Sequence, residues 1–167
     1  MPTLHFIYGL PGAGKTGLAR ALAASLPATL FCEDEYLAKL PIRITTLQQF
    51  IDSVRQTRSV IGPLAISALQ RGHSVVFDFA GNTVASRAWV RSVSEAAKAD
   101  HLLHVLDVPL EECKRRVRER NIAMPAGLYF GNVSDELFDQ VVKHIVPPVE
   151  SEGLQIVRPA GVGQRTQ

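Results

Sequence analysis

The chain predicts an α/β fold built on a parallel sheet. Three observations lead there. Short apolar runs alternate with longer stretches of helical periodicity along nearly the whole chain. The first apolar run, Leu4 to Tyr8, passes straight into Gly9-Leu10-Pro11-Gly12-Ala13-Gly14-Lys15-Thr16, and a helix-forming run passes straight out. With 167 residues, 46% of them hydrophobic and 20% charged, the chain can bury one real core, so one domain is expected.

Each element has its own signal. The first helix spans Lys15 to Leu26, with Leu18, Leu22 and Leu26 at helical spacing, and Pro27 ends it. A short strand at Thr29 to Cys32 is followed at once by the acidic triplet Glu33-Asp34-Glu35. Leu47, Phe50, Ile51 and Val54 mark one face of the next helix. Gly62-Pro63 is expected to break or kink it, with a further helix from Pro63 to Gln70 and Gly72 as its terminator. Ser74 to Phe79 is the third strand. The loop Ala80-Gly81-Asn82-Thr83 then feeds a helix from Val84 to Ala99. Leu102 to Leu106 is the fourth strand, and Pro109 sits in the first turn of a very basic helix. Asn121 to Val133, with proline and two glycines, reads as a loop. Ser134 caps an acidic first turn of a helix that ends before Pro147-Pro148. Leu154 to Val157 is the fifth strand. The domain therefore spans 1–158, with a polar tail at 159–167 that is expected to fray.

Bulk chemistry narrows the function. A net charge of +2 is too small to argue for nucleic acid as a partner. No basic-then-apolar leader is seen at the start, and no apolar run approaches the roughly 20 residues of a membrane span. Cys32 and Cys113 stand far apart without metal-ligand spacing, so both are expected as buried packing in a cytoplasmic, reducing setting. The five histidines also lack ligand spacing and are expected to be structural or exposed.

The stretch Gly9 to Thr16 reads G-x-x-x-x-G-K-T, the Walker A pattern, in the strand-loop-helix setting that gives it meaning. Glycines let backbone N–H groups approach phosphate oxygens, and the helix N-terminus adds partial positive charge. Gly9, Pro11, Gly12, Ala13, Gly14, Lys15, Thr16 and Gly17 are thus the expected nucleotide-binding set. Lys15 is expected on the β- and γ-phosphates and the Thr16 hydroxyl on Mg2+. Asp78 ends an otherwise apolar strand, where a carboxylate needs a cation or donors. Three readings stand for it: Mg2+ ligand, substrate contact, or a tie to the loop backbone. Asn82, Thr83 and Arg87 follow and are candidates for the acceptor or its phosphate.

Together these residues resemble the small P-loop kinases grouped with polynucleotide kinase, chloramphenicol phosphotransferase, gluconate kinase and zeta toxin, within the AAA-type ATP-binding domains. The resemblance runs from about Leu4 to Val157. It rests on the Walker A loop, Asp34 after the second strand, Val-Val-Phe-Asp78 followed by Asn82-Thr83, and Arg116-x-x-x-Arg120. It implies a three-layer P-loop fold with a five-stranded parallel sheet of order 2-3-1-4-5, and a lid at 121–133. It implies an ATP-dependent kinase with Mg2+ that phosphorylates a hydroxyl of a small molecule.

By that resemblance Asp34 is the base on the acceptor. The competing reading is a helix-start carboxylate favoured by the dipole. Arg116 and Arg120, four apart and on one helix face, are expected over the phosphates, and the alternative is a solvated basic face paired with Glu112 and Glu119. Tyr129-Phe130 are candidates to stack on a ring or to pack in the lid. Many relatives carry a second hydroxyl residue where this chain has Gly17, so a contact to the α-phosphate is expected to be missing. Leu37 to Ile61 is the expected acceptor region, with Arg43, Arg55 and Arg58 available for an anion and Phe50 and Ile51 available as core. A nucleic-acid 5′-hydroxyl kinase and a nucleotide-binding regulatory or toxin-like module are the alternatives. A ring-forming motor is not expected from so short a chain.

Overall fold

The computed structural model describes residues 1–41, 46–123 and 133–159. Its elements are β1 (Thr3–Tyr8), α1 (Lys15–Ser25), β2 (Ala28–Cys32), α2 (Glu33–Leu37), α3 (Leu47–Gln70) and β3 (Ser74–Ala80). They continue as α4 (Val84–Ala97), β4 (Asp100–Val105), α5 (Leu110–Ala123), α6 (Asp135–Lys143) and β5 (Ile156–Val157). The sheet has the order β2-β3-β1-β4-β5, and every pairing is parallel. The expected fold class and strand order hold.

Alternation along the central strands feeds two cores. Phe6, Phe77, Leu103 and Val105 point to one face, where Ile61 and Ala65 of α3 and Val90 and Val93 of α4 cover them. Ile7 and Val76 point to the other, against Ala19 of α1, Cys113 and Val117 of α5 and Phe138 of α6. On this second face His5 Nδ1 and His104 Nε2 lie 3.0 Å apart, and burial lowers the pKa of both rings, that of His104 to about 4. Both cysteines are buried and free.

The sequence reading needs five corrections. Gly62-Pro63 does not end a helix, since α3 runs unbroken through Pro63. Proline inside a helix costs about 3 kcal/mol, and burial of Ile61, Ala65 and Leu69 on either side offsets it. The inward stripe of α3 is Ser53, Thr57, Ile61 and Ala65, whereas Phe50 and Ile51 are exposed. α4 stops at Ala97, where Lys98 takes a left-handed φ of 53°. β5 is two residues long, and a 3-10 turn at Glu150–Glu152, unforeseen, precedes it. α5 extends to Ala123 into the expected loop. Arg43, Tyr129, Phe130 and the rest of 124–132 and 160–167, most of the expected lid and tail, fall outside the described residues. No helix among the described residues is long and apolar enough to cross a membrane.

Candidate active site

The Walker A loop lies at the carboxyl end of β1, where open parallel sheets collect ligands. Gly12 (φ 82°) and Gly14 (φ 98°) take left-handed conformations that side chains rarely adopt. Gly12 is also tightly fitted: a Cβ there would sit 2.4 Å from the Cys113 carbonyl. Ala13 N donates to Leu10 O at 3.0 Å and closes the turn before α1. Lys15 Nζ donates to the Gly9 and Leu10 carbonyls, both at 2.9 Å. Burial lowers its pKa to about 8, and Asp78 opposes the shift. Thr16 follows on the first turn of α1. Gly17 is exposed with nothing within 4 Å of a built Cβ.

Across the crevice the carboxyl ends of β2 and β3 bring acids together. Cys32 pairs in register with Asp78, and its Sγ donates to Asp78 Oδ2 at 3.3 Å. Burial pushes the Cys32 thiol up to about 12, so it stays protonated. Asp34 stands in the first turn of α2, so its dipole setting is real. Burial, followed by repulsion from Asp78 and Glu33, raises its pKa to about 7. Arg120 and Lys15 pull the other way. Lys15 and Asp34 thus each stand close enough to Asp78 and Arg120, and to one another, to feel their charge.

The α5 arginines divide by face. Arg115 meets Glu112 and Glu119, and Arg118 meets Asp135, all on the surface. Arg116 Nε donates to Glu112 Oε1 at 2.7 Å, and its Nη1 lies 3.9 Å from where a Gly14 Cβ would be. Arg116 therefore combines a surface ion pair with a place at the loop. Burial lowers the Arg120 pKa, and the nearby Asp34 carboxylate offsets it.

Three expected acceptor contacts are occupied within the chain. Asn82 Oδ1 accepts from Gly9 N at 3.0 Å, and its Nδ2 donates to Gly9 O at 2.8 Å. Thr83 caps α4 by accepting from Ser86 N at 3.1 Å. Arg87 is fully buried and binds Glu152 through Nε (2.7 Å) and Nη2 (2.8 Å), with Nη1 on the Gly81 and Val146 carbonyls. Its guanidinium is committed to the fold, which corrects the expectation that it meets substrate. Arg55 pairs with Asp52 at the exposed surface.

Arg58 was expected to be available for an anion; its pairing with Glu33 and the Ser53 and Thr57 hydroxyls were not foreseen. Arg58 Nε donates to Glu33 Oε1 at 3.0 Å, and its guanidinium lies 5.0 Å from the Trp89 ring centroid. Ser53 Oγ and Thr57 Oγ1 are buried without a hydrogen-bond partner among the described residues. They belong at the carboxyl edge. Thr57 precedes the end of α3 by about 20 Å of helix, the same rise as β3, so it sits level with the strand end, with Ser53 a turn beyond. Charge reversal between residues 33 and 58, twenty-five apart, carried no local signal.

These features coincide with a known family. The AAA domain model matches residues 4–142, and the chain belongs to that family. Its fold is that of small P-loop kinases. A candidate kinase from Chloroflexus aurantiacus superposes with a TM-score of 0.73 at 18% identity, over 94% of this chain and 88% of that one. The APS kinase CysC of Mycobacterium tuberculosis, in complex with AMPPNP and APS, gives 0.59 at 21%, over 95% and 89%. A sugar kinase from Janibacter gives 0.63 at 13%, over 95% and 85%. No curated protein sequence matches it.

Proposed function

We propose that this chain is a Mg2+-requiring phosphotransferase that moves the γ-phosphate of ATP to a hydroxyl of a small molecule. The observation that carries the reading is the grouping of Lys15, Asp34, Asp78 and Arg120 beside the Walker A loop. Phosphoryl transfer asks a protein for positioning and charge stabilisation more than for covalent chemistry. Backbone amides of Gly12, Gly14, Lys15 and Thr16 hold the phosphates, and Lys15 reaches the β- and γ-oxygens. Arg116 and Arg120 add positive charge over the transferring group. Asp34, poised at about 7, accepts the acceptor's proton as the new bond forms. ATP as donor is supported by the AMPPNP held by the M. tuberculosis neighbour.

The metal set is tested on its donors. The Thr16 hydroxyl and Asp78 carboxylate are hard oxygen donors, and the Cys32 thiol beside Asp78 stays protonated. Mg2+ favours few protein oxygens completed by phosphate and water, so the residues fit it. When bound, the metal neutralises charge on the phosphate oxygens. On the acceptor side, Ser53 and Thr57 offer two hydroxyls with unused capacity. Arg58 is neutralised by Glu33, which favours an uncharged polyol or sugar over an anion.

The test is transfer from labelled ATP to a panel of sugars, polyols, aminoglycoside and phenicol antibiotics, and a 5′-hydroxyl oligoribonucleotide. Label appearing on a small alcohol, and lost with Asp34→Asn, is the expected result. The reading falls if no acceptor is labelled and Lys15→Ala binds ATP as wild type does.

A further inference from the structure

Lys15 must release two carbonyls before it can meet a phosphate, those of Gly9 and Leu10. Neither is left stranded. Asn82 Nδ2 also donates to Gly9 O at 2.8 Å, and Ala13 N also donates to Leu10 O at 3.0 Å. A carbonyl with a second donor does not suffer the penalty of a buried unsatisfied acceptor when the first one leaves. The Asn82 side chain is the less local of these two supports, seventy-three residues from Gly9.

What holds Asn82 leads away from the crevice. Its carbonyl accepts from Val146 N at 2.9 Å. The adjacent Gly81 carbonyl accepts from Arg87 Nη1 at 3.0 Å, and the same Nη1 donates to Val146 O at 2.8 Å. Arg87 is fixed by its two-pronged pair with Glu152, and Arg91 Nη1 donates to the Glu152 carbonyl at 2.5 Å. One continuous set of bonds therefore joins the 3-10 turn before β5 to the first residue of the Walker A loop.

We propose that Asn82 is a positioning residue for Lys15, and that the Arg87–Glu152 pair sets Asn82 from the C-terminal segment. The proposal rests on the reading of the Walker A loop as a nucleotide site. It gives the segment around Glu152 a role in nucleotide affinity, although nothing there reaches the loop directly. A plain staple would behave differently: breaking it would lower the melting temperature and leave the affinity of the folded protein alone.

The experiment is calorimetric titration of the full chain with MgATP, at a temperature where circular dichroism shows each variant folded. Wild type, Lys15→Ala, Asn82→Ala, Glu152→Gln, Glu152→Asp and the Asn82→Ala/Glu152→Gln double variant are compared. Asn82→Ala and Glu152→Gln are each expected to weaken binding by about tenfold, and the double variant by about tenfold rather than a hundredfold, because both act through one contact. Glu152→Asp should recover most of the loss. Unchanged affinity in Glu152→Gln overturns the proposal, and so does additivity in the double variant. If Glu152→Gln does not fold, Arg91→Ala, at a half-exposed site, takes its place. A two- to threefold loss is expected there as the order of magnitude for one weakened tie, and no loss overturns the proposal. Wild type that binds no MgATP brings down both this proposal and the kinase reading. Wild type that binds in a Lys15-dependent way, matched by the Asn82 and Glu152 variants, brings down this one alone.

Discussion

At Gly9 the amide N–H meets Asn82 Oδ1 and the carbonyl meets both Asn82 Nδ2 and Lys15 Nζ. At the same edge of the sheet, α3 buries the Ser53 and Thr57 hydroxyls with no partner among the described residues. The Walker A side is complete before any ligand arrives. The α2–α3 side, where we place the acceptor, carries polar groups that the fold does not use. Buried polar groups are nearly always bonded, so an exception calls for a reason, and an incoming partner is a physical one. The difference separates a binding site pre-built for a common ligand from one finished by a particular ligand.

Four variants and one pH profile sharpen or break that contrast. Lys15→Ala strikes the completed side. It removes a charged hydrogen-bonding group and is expected to weaken MgATP binding by about 100-fold or more, read by calorimetry. Asp34→Asn strikes the boundary between the sides. Turnover should drop by about 100-fold or more while nucleotide affinity stays within about twofold, and equal turnover would remove Asp34 from the chemistry.

The pH profile tests the same pair of residues. Asp34 works without its proton and Lys15 works with its own. The rate constant kcat/KM should therefore rise as pH passes about 7 and fall above about 8. A flat profile over that range contradicts both assignments.

Ser53→Ala combined with Thr57→Val removes the unused hydroxyls. Each unpartnered group destabilises by about 1 kcal/mol or more, so the melting temperature should rise by about 2–4 °C per group. The acceptor KM should rise with it. Higher stability with an unchanged KM would make these hydroxyls mere defects. Gly17→Ala is the gentlest change. Its Cβ meets open space, so the protein should gain about 1 kcal/mol in denaturant unfolding with nucleotide affinity unchanged.

The same contrast governs what the sequence could disclose. The Walker A loop is eight consecutive residues whose chemistry is local, and it is legible at sight. The four-residue spacing of Arg116 and Arg120 places them on one face, but it did not reveal that Arg116, like Arg115, pairs with Glu112. The strand order came with the family resemblance and not from periodicity. Asn82 and Arg87 were read as acceptor contacts because only their nearness to the third strand was visible. Their partners, Gly9 and Glu152, lie 73 and 65 residues away, and no local pattern reports such a distance. Pro63 misled for a related reason: a local rule for ending helices yielded to burial of the residues around it.

The near-contact of Gly12 with the Cys113 carbonyl has a mechanical corollary. The Walker A turn and the base of α5 are wedged together, and Val117 Cγ2 extends the wedge by another turn of helix. Any stroke that swings the end of α5 over a bound phosphate must find its fulcrum past Val117. Arg116 then rides with the loop as a fixed strut, while Arg120 lies a turn further on, beside Asn121, whose side chain is bonded to Val133. Two arginines that look alike in the sequence would differ in kind: one is anchored to the Walker A turn, and the other to the far end of its helix.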